Sequence, residues 1–290
     1  MKILVLGALG MAGHVVAAVI QEAGHSVTGF ARECSPYCKT HIGDARDMDA
    51  VRRVLADEAY DAVVNCIGVL NTDVDVAPAS GIYLNSVLPH LLVQCTEGTN
   101  TRVVQLSTDC VFSGTNGGYC EDSFRDADSL YGRSKALGEI NDKKNLTVRT
   151  SIVGPDLRTD GKGLFNWFMT QKEAIKGYCQ AFWTGVTTVE LAKAIIAALE
   201  CRLAGIYHLV NGEKISKYHL LMLFNQMRKF PVEILSENTV RVDKSLLCMR
   251  EDFAYNVPSY EKMVVELEHW IRRHPQMYPH YQLTYGEKTK

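Results

Sequence analysis

Short apolar runs alternate with amphipathic segments over the first half of the chain. Helical spacing of apolar residues marks the segments 11–23, 47–57, 82–95 and 131–141. Between them lie short, mostly apolar runs that are typical of buried strands, at 2–6, 26–30, 40–42, 62–66, 102–107 and 146–151. Because strands and helices alternate, this pattern predicts a parallel sheet with helices on both faces.

The rhythm changes after Pro155. Residues 155–184 are loop-rich, whereas 189–200 and 206–210 have helix and strand patterns that can rejoin the sheet. We therefore predict an α/β fold in which a doubly wound parallel sheet carries a smaller C-terminal lobe. The predicted sheet domain comprises 1–155, completed by about 186–212, and the lobe comprises 156–185 and 213–290.

Composition excludes several classes of function. The 290 residues are 47% apolar and 22% charged, with a net charge of -2, so nothing favours binding to nucleic acid or to an anionic membrane. No apolar stretch approaches the ~18 residues of a membrane span. The nine cysteines are dispersed without metal-ligand spacing, which predicts reduced thiols, a cytoplasmic protein and no metal site.

Three glycines follow the first predicted strand. Gly7, Gly10 and Gly13, with Met11 opening the helix, form a G-x-x-G-x-x-G pattern between strand and helix. Glycine allows a tight turn and a close approach of the backbone to a pyrophosphate, whose charge meets the helix N-terminus. This position in the chain predicts a Rossmann-type fold that binds a nicotinamide dinucleotide.

The end of the second predicted strand indicates which dinucleotide is bound. An acidic residue there selects the ribose hydroxyl of NAD, and an arginine accepts the 2′-phosphate of NADP. Ala31 stands at the selecting position and Arg32 follows it, so NADP(H) is preferred over NAD(H). A shift of two residues would bring Glu33 into play and leave NAD open.

A tyrosine and a lysine four residues apart provide the candidate chemistry. Tyr131 and Lys135 fall on one face of a predicted helix, where a nearby ammonium would lower the pKa of the phenol. The phenol then becomes a proton donor usable near neutral pH. Upstream, the hydroxyl of Thr108 could hold the other side of a substrate oxygen.

These motifs together resemble an extended short-chain dehydrogenase/reductase. The glycine turn is followed by a strand ending at Asn65–Gly68 and then by Thr108, Tyr131 and Lys135 in that family's order. The segments STDCVFSG, YGRSKALGE and RTSIVGP are similar to the dTDP-4-dehydrorhamnose reductase branch. The resemblance is detailed to about residue 155 and looser beyond.

The resemblance implies a reductase of a nucleotide-linked 4-keto-6-deoxy sugar. Tyr131 would protonate the ketone oxygen, Lys135 would also hold the nicotinamide ribose, and Thr108 would bind the substrate oxygen. Asn85 resembles the asparagine placed behind the lysine, or is a surface polar residue. The further residues that the family would place at the cofactor are Asp44, Ala45, Cys66, Ile67 and Gly68.

Position 110 separates the alternatives within this family. In the resemblance Asp109 and Cys110 face the sugar, and Cys110 replaces the glutamate that a dehydratase requires. One alternative is an epimerase-reductase with Cys110 as base, although no histidine lies between Lys135 and His208 to complete its pair. Ile152, where rhamnose-pathway reductases tend to carry tryptophan, puts the dTDP-rhamnose substrate in question.

The second alternative is a regulatory protein. The β subunit of methionine adenosyltransferase resembles the same branch and binds NADP as a partner of a larger enzyme. Some reductases of the branch form dimers, so a homodimer is a possible assembly.

The lobe offers fewer candidates for substrate contact. Trp183 could stack on the nucleotide base or pack beneath the lobe. Arg158 and Lys162 are either diphosphate ligands or solvated loop charges, and His208 is more typical of a core histidine than of a catalyst. The segment 269–281, rich in His, Tyr and Pro, has no predicted role.

Overall fold

The computed structural model describes residues 1–284. Its strands are β1 (Lys2–Leu6), β2 (Ser26–Ala31), β3 (Lys39–Ile42), β4 (Ala62–Asn65), β5 (Arg102–Thr108), β6 (Leu146–Thr150), β7 (Ile152–Val153), β8 (Ile175–Trp183), β9 (Val186–Thr187), β10 (Gly205–His208), β11 (Ile215–Ser216) and β12 (Ile234–Asp243). Its helices are α1 (Met11–Glu22), α2 (Met48–Asp57), α3 (Asn71–Val76), α4 (Pro78–Ile82), α5 (Leu88–Cys95), α6 (Leu130–Leu137), α7 (Leu164–Thr170), α8 (Thr188–Glu200), α9 (Lys217–Gln226) and α10 (Tyr260–Arg273).

Seven parallel strands form the central sheet, in the order β10-β6-β5-β4-β1-β2-β3. This order is that of a doubly wound dinucleotide-binding fold and confirms the predicted fold class. The strand order reverses between β1 and β4, which creates a crevice at their carboxyl ends. A ligand of such a sheet binds at this crevice.

The sheet is buried on both faces, as the continuous apolar runs require. Along β1 the side chains alternate: Ile3 and Val5 enter the core shared with α1, α8 and α10, whereas Leu4 and Leu6 enter the core shared with α2 and α5. All four are fully buried. Because each strand supplies two cores, its sequence shows no polar alternation.

A three-stranded sheet, β11-β8-β12, forms the second lobe, and its two long strands were not predicted. In β8 the buried positions include the small residues Gly177 and Ala181, and exposed Lys176 and Tyr178 stand beside them. Most of β12 is polar and exposed, with a bulge between Glu237 and Arg241. Neither strand therefore has the apolar run that marks a buried strand. The last residues of the predicted lobe, 285–290, lie outside the described residues.

Two helices differ from their predicted limits near the site. The helix predicted to begin at residue 82 instead follows α3 and α4, passes through a π-helical turn (Tyr83–Val87) and continues as α5. The helix predicted to end at 141 ends at Leu137 and is capped by Gly138, where a Cβ would lie 1.9 Å from the Asn85 carbonyl oxygen. Within residues 1–284, no helix combines the length and the apolarity needed to cross a membrane.

Candidate active site

The glycine turn joins β1 to α1 at the crevice. Gly7 adopts φ +78°, and its amide donates to the Phe30 carbonyl at 2.8 Å. Gly10 closes the turn by donating to the Gly7 carbonyl at 2.9 Å. A Cβ at Gly13 would lie 2.1 Å from that same carbonyl oxygen, so only glycine allows α1 to approach the turn this closely. Met11 is the first residue of α1, where a helix has unpaired amide hydrogens.

A cleft of about 640 Å³ opens in front of this turn. It has the shape and lining that a dinucleotide requires: a glycine turn, a helix N-terminus and charged residues at the far end. Met11 and Gly13 lie in the turn and helix behind it. Eight of the predicted cofactor residues line it, namely Gly7, Gly10, Arg32, Asp44, Ala45, Cys66, Ile67 and Gly68.

Two arginines stand at the end of the cleft that is formed by the ends of β2 and β3. The exposed Arg32 follows β2, and Arg46 binds both oxygens of Asp44, with Nη2 to Oδ2 at 2.5 Å and Nε to Oδ1 at 3.0 Å. Arg46, and more weakly Arg32, hold the pKa of Asp44 below its usual value. Glu33 also lines the cleft. Arg46 was not predicted as a site residue, although it stands two residues after Asp44, which was predicted to be one.

Arg158 also lines the cleft, on the cofactor side, and pairs with Asp160 at 2.8 Å. Lys162, on the same loop, binds Asp73 of α3 at 2.6 Å. Both cations are exposed and paired with carboxylates. Their alternative role as diphosphate ligands stays a prediction; of the two, Arg158 lines the cleft.

The three candidate catalytic residues converge beside the cleft. Thr108 ends β5, and Tyr131 and Lys135 occupy successive turns of α6. All three are at least nine-tenths buried. Lys135 Nζ donates to the Leu106 carbonyl at 2.6 Å, and burial lowers its pKa to about 8.

The phenol of Tyr131 differs from the sequence-based expectation. Burial, and secondarily Cys110, raise its pKa above the usual value, and a hydrogen bond with Thr108 acts in the opposite direction. Lys135 is not among the groups that shift this pKa, and its ammonium donates to the Leu106 carbonyl. Tyr131 therefore carries its proton throughout the neutral pH range.

Asn85 lies in the π-helical turn and is fully buried, which excludes the surface alternative. Its amide exchanges two hydrogen bonds with the Val69 backbone, each 2.9 Å, and donates to Ser134 Oγ at 3.1 Å. A Cβ at Gly68 would lie 3.8 Å from Asn85 Oδ1 and 3.9 Å from Lys135 Nζ. Asn85 thus fixes α6 against the loop that lines the cleft.

Asp109 and Cys110 form a tight turn after Thr108. The Thr108 hydroxyl donates to Asp109 Oδ1 and accepts from the Cys110 amide, both at 3.1 Å. Burial, and then the charge of Asp109, raise the pKa of the Cys110 thiol to about 11, with Lys244 opposing. A Cβ at Gly132 would lie 2.2 Å from the Cys110 carbonyl oxygen, so this glycine lets α6 pack onto the turn.

A buried ion pair lies behind β5, the strand that ends at Thr108. It was not predicted from the sequence. Arg149 binds both oxygens of Glu139 at 2.6 and 2.7 Å, and Ser107 Oγ donates to Glu139 at 2.6 Å. His208 is fully buried with both ring nitrogens engaged, by Arg149 and by the Leu247 carbonyl. It is a core residue, as expected.

Trp183 does not fit its predicted role as a substrate contact. It is 5% exposed, and its ring packs on Tyr260 with centroids 5.8 Å apart and against Gly185. A ring with no free face cannot stack on a base, so the alternative of packing beneath the lobe is the one observed. The ammonium of Lys214 lies over the ring of the neighbouring Phe182, with Nζ 4.5 Å from the ring centroid.

Comparison with known proteins gives consistent matches. The family described as "RmlD substrate binding domain" matches residues 1–243. A dTDP-4-dehydrorhamnose reductase of Streptomyces griseus is 33% identical over 72% of this chain and 70% of its own length. A probable low-salt glycan biosynthesis reductase, Agl14, of Haloferax volcanii is also 33% identical, but the match spans 48% of each chain.

Two further comparisons bear on the alternatives. Methionine adenosyltransferase 2 subunit beta of Xenopus tropicalis is 26% identical over 76% of this chain and 70% of its own. The solved dTDP-4-dehydrorhamnose reductase of Bacillus anthracis, in complex with NADP, has a TM-score of 0.77 over 92% of this chain and 98% of its own, at 19% identity, which supports the fold. The matches confirm the predicted family resemblance and the coarse prediction of an NAD(P)-dependent oxidoreductase.

Proposed function

This chain belongs to the RmlD substrate-binding family, a branch of the extended short-chain dehydrogenases/reductases, and from that membership we propose that it reduces the ketone of a nucleotide-linked 4-keto-6-deoxy sugar with NADPH. The observation that carries the proposal is that Thr108, Tyr131 and Lys135 are all buried and close to the cleft: the Tyr131 phenol interacts with Thr108, and Lys135 Nζ lies 3.9 Å from the place of a Cβ on Gly68, which lines the cleft. A buried phenol next to a second hydroxyl is suited to protonating a carbonyl oxygen.

The residues divide into those that bind the dinucleotide and those that handle the proton. When bound, NADPH supplies the hydride that adds to the keto carbon. Tyr131 donates its phenolic proton to the carbonyl oxygen, which becomes the new hydroxyl. The Thr108 hydroxyl, directed at Asp109 in this structure, is the second donor for that oxygen. Lys135 would bind the ribose and stabilise the phenolate that remains.

We propose the same division for the domains. Residues 1–155, completed by 186–212, hold the dinucleotide, and 156–185 with 213–290 hold the nucleotide sugar, with Asp109 and Cys110 on the substrate side. The reaction needs no nucleic acid, membrane or metal, and a cytoplasmic location fits the nine free thiols. A homodimer is a further proposal, for which light scattering is the test.

Turnover of a panel of nucleotide-linked 4-keto sugars tests this function. Oxidation of NADPH, and less of NADH, is expected with at least one nucleotide-linked 4-keto-6-deoxy sugar. Because a methionine adenosyltransferase subunit beta is among the relatives, cofactor binding alone does not distinguish the two functions. A chain that binds NADPH, oxidises it with no member of the panel and copurifies with a large enzyme would support the regulatory alternative.

Arg32→Ala is expected to raise the Kd of NADPH about 10-fold and to leave the Kd of NADH within about 2-fold. Arg32 is exposed at the end of β2 and lines the cleft, where its guanidinium would donate hydrogen bonds to a 2′-phosphate. Fluorescence titration measures both constants. Arg53→Ala, which removes another exposed arginine outside the cleft lining, is the control. An equal change in the Kd of NADPH and of NADH would show that Arg32 does not select between the two dinucleotides.

Cys110→Ser is expected to retain kcat within about 2-fold. Its thiol, with a pKa near 11, stays protonated at neutral pH and is poorly suited to remove a proton from carbon. The measurement is the initial rate of NADPH oxidation, together with the mass of product formed in D₂O. Deuterium at a carbon next to the ketone, lost in Cys110→Ser, would establish the epimerase-reductase alternative instead.

A further inference from the structure

The C-terminal segment 274–284, for which no role was predicted, contacts α1 next to the glycine turn. Its Tyr278 is 3% exposed and meets His14, a residue of α1 that is also 3% exposed. His14 lies one residue beyond the last glycine of the turn and 264 residues from Tyr278 along the chain. The contact therefore joins the C-terminal segment to α1, one residue beyond the glycine turn.

Three hydrogen bonds run from this segment to the turn in one direction. Trp270 Nε1, which can only donate, lies 3.0 Å from Tyr278 Oη. His14 Nδ1 lies 2.8 Å from the Gly10 carbonyl, which can only accept, so Nδ1 carries the hydrogen. Burial lowers the pKa of His14 to about 4, which keeps the ring neutral. Its Nε2 therefore accepts the Tyr278 hydroxyl hydrogen at 2.8 Å.

The last bond of this chain fixes a peptide plane at the cleft. The Gly10 carbonyl also accepts the backbone amide of His14 at 3.1 Å, so two donors of His14 hold it in the direction of α1. A trans peptide places C=O and the following N–H on opposite sides. Because the Gly10 carbonyl points along α1, the Met11 amide of the same peptide points the opposite way, out of the N-terminal end of α1 and next to Gly10, which lines the cleft.

We propose that Tyr278 and His14 are positioning residues for dinucleotide binding, which orient the Met11 amide toward the pyrophosphate through the Gly10 carbonyl. The inference rests on the proposed function only in that the cleft binds a dinucleotide. The His14 ring is planar and bonds Tyr278 through one nitrogen and the Gly10 carbonyl through the other, so the position of the Tyr278 hydroxyl determines the orientation of the ring. Trp270 fixes that hydroxyl by donating to it. The C-terminal segment is thus part of the cofactor site without touching the cofactor.

Tyr278→Phe in the full-length protein tests this role. The variant keeps the ring in place and removes the donor to His14, so the Kd of NADPH is expected to rise about 5- to 10-fold while kcat at saturating NADPH stays within about 2-fold. Tyr260→Phe is the matched control: its phenol is 6% exposed and donates to the Glu213 carbonyl, away from the cleft lining. It is expected to lower the melting temperature comparably and to leave the Kd unchanged.

A double variant separates positioning from loosening of the fold. His14→Phe removes both ring nitrogens and is expected to raise the Kd at least as much as Tyr278→Phe. Adding Tyr278→Phe to His14→Phe should change the Kd no further, because the chain is already broken.

An unchanged Kd in Tyr278→Phe, an equal rise in Tyr260→Phe, or additive effects in the double variant would overturn the inference. Absence of dinucleotide binding by the unaltered protein would overturn the proposed function together with it.

Discussion

Replacing Tyr131 with phenylalanine is expected to lower kcat by about 10²- to 10⁴-fold, because the variant loses the proton donor. The phenol is buried beside Thr108, and its raised pKa keeps it protonated at neutral pH. Phenylalanine retains the ring and its packing. The Kd of NADPH is therefore expected to stay within about 3-fold, and both quantities are measured on the same preparation by stopped-flow oxidation and fluorescence titration.

The control for this prediction is Tyr207→Phe. Tyr207 is an equally buried phenol on β10, in the core and outside the lining of the cleft. The Tyr207→Phe variant is expected to have a lower free energy of unfolding and to keep at least about half of kcat. Undiminished turnover in Tyr131→Phe would mean that another group protonates the oxygen, and a parallel loss in Tyr207→Phe would point to misfolding.

Gly13→Ala is expected to cost about 2–4 kcal/mol of unfolding free energy and to weaken NADPH binding more than 10-fold. The added Cβ would lie 2.1 Å from the Gly7 carbonyl oxygen and 2.7 Å from the Gly7 carbonyl carbon. Both are backbone atoms of the turn, so relief requires α1 to move away from β1. Urea unfolding and fluorescence titration measure the two effects.

Gly10→Ala is the informative counterpart. Gly10 has φ -76°, which any residue adopts, and its Cβ would meet only the Gly7 carbonyl oxygen, at 3.3 Å. We expect a stability change below about 1 kcal/mol, with weaker NADPH binding because the methyl group stands at the cleft lining. Equal stability losses in the two variants would show that the turn adapts and that the close packing of Gly13 is unimportant.

The sequence could predict the cofactor half of the site because its signals are local. Gly7 to Gly13 lie within one strand–turn–helix unit, and the periodicity of Tyr131 and Lys135 follows from a single helix. The parallel sheet then brings the ends of β1, β4 and β5 to one edge. Thr108, at the end of β5, lies at this same edge.

Other features depend on contacts between distant segments. The pKa of Tyr131 depends on its burial and then on Cys110, and the Lys135 ammonium is held by a carbonyl 29 residues away. Trp183 is buried at the end of β8. The sequence does not predict this strand, since its buried positions include small residues that give little apolar signal. The bonds from Tyr278 to His14 span 264 residues. No window of sequence contains such a pair.

The most direct measurement of the proposed reaction is the transfer of deuterium from NADPH labelled at the reactive carbon of the nicotinamide. The protein is incubated with a nucleotide-linked 4-keto-6-deoxy sugar, and the product is analysed by NMR and mass spectrometry. The account predicts one deuterium per product molecule, located at C4 of the sugar, and loss of this transfer in Tyr131→Phe. Tight NADPH binding without deuterium transfer to any nucleotide-linked 4-keto sugar would contradict it.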